Sequence, residues 1–211
     1  MLHFLLCDLP EAMNEVHYEL IQAMLEADPT LPSRPAYHRT DLIQQEHDKA
    51  NSKTTYTLSE PTGSTPLHCL VYELFGCVLV QASETRYMVQ VLKLMLRIDP
   101  KSAQVYNKFG LLPLHNAILS SRHAGSLIRS NPKRFQKSFR YLIDCYPQAC
   151  KERDMNGDAN GCLPLHLLCM HAAMYGESSR YAAEQLLSVH PDAASQFGGK
   201  GRKYPLHFIV N

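Results

Sequence analysis

The tripeptide Pro-Leu-His occurs at Pro66-Leu67-His68, Pro113-Leu114-His115, Pro164-Leu165-His166 and Pro205-Leu206-His207, and Met1-Leu2-His3 repeats it with methionine in the proline's place. Repetition of this kind constrains a chain more than any local signal, because a unit that cannot bury its own apolar face must stack on copies of itself. A second signal alternates with the first: an apolar helical pattern closed by a residue-proline pair at Asp28-Pro29, Asp99-Pro100, Tyr146-Pro147 and His190-Pro191. The signature proline suits the first helical position, where its missing N–H would be unpaired in any case. The second proline stops a helix, since it disfavours the α conformation in the residue before it. Each cycle therefore reads helix, connection, helix, stop.

The second helix is clearest in the third cycle. There Asn131 can cap, Pro132 fits the first turn, and Phe135, Phe139, Leu142 and Ile143 recur at helical spacing. Its counterparts are Val89, Leu92, Met95 and Leu96, then Ala183, Leu186 and Leu187, with Val16, Leu20 and Met24 in the first cycle. Successive signature histidines stand 65, 47, 51 and 41 residues apart, so a short unit carries insertions. They fall between the helices in the second and third cycles and after the pair in the first. Residues 29–59 are polar and apolar-poor, and are expected to form a loop insertion with one short helix at 41–49.

These residues resemble the ankyrin repeat family, whose helix opening Thr-Pro-Leu-His is matched in full by Thr65-Pro66-Leu67-His68. The approach is similar too. Glu60-Pro61-Thr62-Gly63, Asn107-Lys108-Phe109-Gly110 and Asp158-Ala159-Asn160-Gly161 look like the family's turn, an acidic residue or Asn, two variable residues and then Gly. Departures mark a diverged, insertion-bearing branch. Leu112, Leu163 and Tyr204 replace the threonine, proline stands where the family ends its second helix with glycine, and Gly201 lies one residue too early in the fourth turn.

The resemblance implies an all-α, ankyrin-like helical-repeat solenoid whose turns project as short turn or β-hairpin fingers. Its units would be 1–28, 60–106, 107–157, 158–197 and a partial 198–211 within a single domain 1–211. It further implies a structural task for His3, His68, His115, His166 and His207, tying each helix start to the neighbouring turn. Partner contacts are expected at the fingers: Pro61, Thr62 and Ser64; Lys108, Phe109 and Leu111; Ala159, Asn160 and Cys162. Phe109 is the foremost of these, an aromatic beside a lysine on a turn. The expected function is a non-catalytic protein-interaction module or scaffold, without cofactor. One alternative is a regulatory or targeting segment of a larger, possibly catalytic protein, since the chain opens and closes inside signatures and neither end reads as a polar cap. A helical solenoid of the TPR or HEAT kind is the alternative fold.

Composition narrows the remaining chemistry. The formal charge of +1 gives no strong pull on nucleic acid or membrane. The chain start lacks a basic segment, and Glu73 interrupts the best apolar run, 67–82, so no signal peptide or membrane span is expected. Seven cysteines without a Cys-x-x-Cys pair, four of them (Cys7, Cys69, Cys145 and Cys169) among apolar neighbours, suggest free thiols and an intracellular location, cytoplasmic or nuclear. Between positions 99 and 144 there is no acid, while Lys101, Lys108, Arg122, Arg129, Lys133, Arg134, Lys137 and Arg140 are basic. That stretch is either a solvated helix face or a dock for an acidic or phosphorylated protein partner.

Cys162, His166, Cys169 and His171 are soft ligands close in sequence, and a zinc-binding protein is the second alternative. Their spacing matches no established zinc pattern. Asp154, Asn156, Asp158 and Asn160 alternate like a calcium loop, but the glycines are misplaced and Leu165 stands where the bidentate acid belongs. Gly198-Gly199-Lys200-Gly201 hints at phosphate binding but precedes a repeat turn instead of completing a P-loop.

Overall fold

The computed structural model describes residues 2, 6, 13–34, 64–76, 82–124, 132–155, 161–172, 177–199 and 201–210. Among them the chain is helical: α1 Glu15–Ala27, α2 Pro66–Gly76, α3 Ala82–Ile98, α4 Pro113–Ala124, α5 Pro132–Cys145, α6 Pro164–Met170, α7 Glu177–Val189 and α8 His207–Val210. No strand occurs among the described residues, and the expectation of an all-α chain holds. Leu2 and Leu6 are also helical and buried.

The helices form two rows. Along one, α2, α4, α6 and α8 pack in succession; along the other, α1, α3, α5 and α7 do. Across the rows α2 pairs with α3, α4 with α5, and α6 with α7. The apolar spacing explains this placement, since Phe135, Phe139, Leu142 and Ile143 on α5 all face inward. Phe135 stacks on Phe139 at 5.5 Å and meets Phe75 of α2 edge-on at 5.6 Å, joining consecutive units. Neighbouring first helices approach closely: a Cβ at Gly76 would stand 3.3 Å from Cβ of Ser120 on α4. From the same helix the Asn116 amide donates to the His68 carbonyl at 3.0 Å.

All four residue-proline pairs end a helix in one manner. Asp28, Asp99, Tyr146 and His190 leave the helix with φ between −142 and −130°. Each still returns its N–H to the carbonyl four residues back, at 2.8 to 3.2 Å. In three cycles the proline then opens a 3₁₀ turn, at Pro100–Gln104, Pro147–Cys150 and Pro191–Ser195, whose small residues Ala103, Ala149 and Ala193 are buried. The stop is thus also a packed connection.

The first cycle needs two corrections. On α1 the core residues are Ile21 and Leu25, while Val16 and Leu20 are exposed at 69% and 46%. The buried face of the helix is thus offset by one residue from the expected stripe, and it packs against α3. The expected loop also begins with structure, a 3₁₀ turn Leu31–Ser33 with Pro32 buried, and Arg34 paired to Asp28 at 2.8 Å. The helix expected at 41–49 lies outside the described residues.

Candidate functional site

The signature histidines share one geometry. In His115 the ring Nδ1 accepts the N–H of Leu112 at 3.2 Å, and Nε2 lies 3.1 Å from the Glu152 carbonyl. In His166 Nδ1 accepts from Leu163 at 3.2 Å, and Nε2 lies 3.1 Å from the Gln196 carbonyl. His68 has Thr65 Oγ1 at 2.8 Å from Nδ1 and the Leu111 carbonyl at 2.9 Å from Nε2. Because Nδ1 of His115 and His166 accepts from a backbone N–H, the proton sits on Nε2 and is donated to a carbonyl distant in sequence. Burial pushes His68 and His115 down to about 4 and lowers His166, keeping the imidazoles neutral.

In the three units without the threonine, Nδ1 takes the backbone N–H of the replacing leucine or tyrosine, where at His68 it faces the Thr65 hydroxyl. Asn14 and His17 use the same bond on α1, at 3.3 Å. His207 accepts from Tyr204 at 3.1 Å but is exposed, and His3 lies outside the described residues.

The acceptors of these clamps belong to the finger turns or their approaches. In the turn 107–111 the N–H of Asn107 donates to the Leu111 carbonyl at 2.9 Å, and Leu111 N–H donates back to Asn107 Oδ1 at 3.0 Å. Asp154 and Cys162 repeat the pair, at 2.9 Å and 2.7 Å. Between Gly198 and Lys203 both bonds are backbone, at 2.9 and 3.0 Å, and only this turn forms a β-bridge among the described residues. The partner of Asn107 in the next unit is therefore Asp154, not Asp158, and four extra residues lie inside that turn. Gly110 and Gly161 hold φ of 66° and 69°; in the fourth turn the equivalent position is Arg202, at 51°. The apparent slip of Gly201 is a non-glycine residue taking the left-handed position.

Exposure sorts the expected contact residues. Phe109 is 40% exposed, with Lys108 Nζ 4.9 Å from its ring centre. Ser64, Leu111 and Cys162 are corrected to buried positions, at 2%, 7% and 0%. They stand two residues before the signature proline, at the inner leg of the turn, where the chain dives back under the helix start. Pro61, Thr62, Ala159 and Asn160 lie outside the described residues. Two exposed apolar residues at the turns were missed: Met155, 67% exposed, beside Asp154, and Phe197, 42%, just before the last turn. Adjacent turns also touch, Met155 N–H donating to the Gly110 carbonyl at 2.8 Å. Arg153 was missed as well, and it bridges two turns by donating to the carbonyls of Gly161 at 2.5 Å and Phe197 at 2.7 Å.

The soft-ligand cluster does not assemble. Among the described residues no group of three or more His, Cys, Asp or Glu is placed to hold a metal ion. Both His166 nitrogens already have partners, and burial raises the Cys162 and Cys169 thiols to about 11, away from the thiolate a metal needs. Asp154, first of the calcium-like run, turns its carboxylate inward to Cys162 N–H, and positions 156–160 lie outside the described residues. Cys145, Cys150 and Cys169 are free thiols. Of the basic stretch, Lys101 sits on a 3₁₀ turn, Lys108 on a finger, and Lys133, Lys137 and Arg140 on the exposed side of α5, where Arg140 pairs with Asp144 at 2.7 Å. The side chains of Arg122 and Arg129 lie outside the described part. No described helix is long and apolar enough to cross a membrane. Compared with known proteins, the chain matches no family model, no curated protein and no solved structure.

Proposed function

We propose that the chain is an ankyrin-like array that acts as a protein-binding module, with consecutive finger tips as its docking surface. One observation carries this reading. Phe109 and Met155 present exposed large apolar side chains from successive turns, and Phe197 one from the residue before the last turn, while the buried histidines are engaged in long-range backbone bonds. Exposed apolar side chains beside a cation are the composition of interface anchors. Two further features support it: paired helices in two rows, and a long-range bond made by the buried ring at three successive signatures. No catalytic or cofactor chemistry is assigned to the array, and its site of action would be inside the cell.

Affinity capture from the source cell tests the proposal, using the full chain and the double variant Phe109→Ala, Met155→Ala. A specific partner retained by the parent and lost, or weakened at least tenfold, by the variant is the expected result. Equal retention by both would remove the finger tips from the reading.

A further inference from the structure

A cleft lies under the last turn, beside Gln196, whose carbonyl takes the His166 imidazole. It holds about 450 Å3 and is walled by Arg153, Arg202, Phe197, Ser195 and the backbone of Gly198 and Gly199; no lining residue is acidic. That volume suits a small ligand group. Arg153 is fixed by bonds to the carbonyls of Gly161 and Phe197 and to Gln196 Oε1. A guanidinium has five N–H donors, so Arg153 retains donors beyond those three bonds. Arg202 lies over the Phe197 ring at 5.4 Å, and Phe197 stacks on Tyr204 at 4.2 Å. Among the described residues neither guanidinium is in an ion pair.

The bare wall has a structural origin, because a Cβ at Gly198 would come within 2.8 Å of the His166 ring. Arg202 also holds the left-handed position that glycine fills in the two preceding turns, although glycine would be less strained there. Two guanidiniums, one of them held rigidly, beside unobstructed backbone suit the bidentate recognition of a phosphate or carboxylate.

We propose that this cleft binds an oxyanion carried on a partner polypeptide, a phosphorylated or carboxylate side chain, between Arg153 and Arg202. The proposal rests on the array being a partner-binding module, and it moves the expected acidic or phosphorylated contact from the basic stretch to the last turn.

The test is a titration of the full chain, labelled with nitrogen-15, with inorganic phosphate at constant ionic strength, following the Gly199 amide and the Arg202 Nε–H. Saturable shifts of Gly199 that weaken at least tenfold in Arg202→Gly are expected. That variant keeps the turn, as Gly110 and Gly161 do, and its melting curve confirms folding. Shifts that stay linear in phosphate, or saturate equally in the variant, overturn the proposal. A second arm compares two short peptides differing only in phosphoserine or glutamate. Binding of either one, or of both, identifies the source of the oxyanion, and binding of neither overturns it. Phosphate reports on the cleft directly, so a failed partner capture with intact saturation would fault the array reading alone.

Discussion

His68, His115 and His166 each make one bond within their own turn of chain and another to a distant segment. For His115 these reach three residues back to Leu112 and 37 residues forward to Glu152. Replacing His115 with alanine strips a partner from the buried Leu112 N–H and from the half-buried Glu152 carbonyl and leaves a void. The expected loss is about 3 kcal/mol in urea unfolding. His207→Ala removes an exposed ring and should change stability by less than about 0.5 kcal/mol. Equal losses in the two variants would show that the signature does not act through burial. The signature was legible because one residue type must recur wherever one bond pattern recurs. Arg153 was not, since its partners are backbone carbonyls brought near only by the fold.

At the scale of the turn, the chain conserves a closure and varies what closes it. Asn107 and Asp154 offer a side-chain oxygen where Gly198 offers its own carbonyl, so the loop between the legs can lengthen without disturbing the helix start. This is why the sequence suggested Asp158 for a position that Asp154 occupies. Acidic residues and Asn are common in any turn, and only the hydrogen bonds set the register. The burial of Ser64, Leu111 and Cys162 was hidden for a similar reason: one residue separates an exposed tip from the closed leg. Gly110 tests the register. A Cβ there would meet Met155 Cβ at 2.4 Å and its Cα at 2.8 Å, whereas Gly201, also left-handed, has open space around it. Gly110→Ala should therefore lower stability by about 3 kcal/mol and Gly201→Ala by about 1 kcal/mol. Thermal unfolding compares the two, and a Gly110 variant no worse than the Gly201 variant would contradict the stacking of adjacent turns.

Across the whole molecule the buried histidines impose a dependence on acid. His68 and His115 stay neutral down to about 4 in the folded chain, against an ordinary value of 6.5. Between those values the unfolded chain binds more protons. Stability is full above pH 6.5 and is lost as pH falls toward 4, by about 1.4 kcal/mol per pH unit for each histidine. His166 shifts in the same direction. Asp154, raised from 3.8 by burial, acts in the opposite sense, since its folded form holds a proton more tightly. With the three histidines the larger group, the urea midpoint should fall between pH 7.5 and pH 5. That fall should shrink in His115→Gln; a midpoint independent of pH would contradict the neutral clamps.

The clamp bonds have a mechanical side. The Leu111 carbonyl takes both the closing bond of its own turn and the imidazole of the preceding unit, and Gln196, one residue before exposed Phe197, takes that of His166. A finger cannot swing without drawing a buried ring out of its socket. A partner docking there, as proposed, would find less motional freedom to be lost on binding.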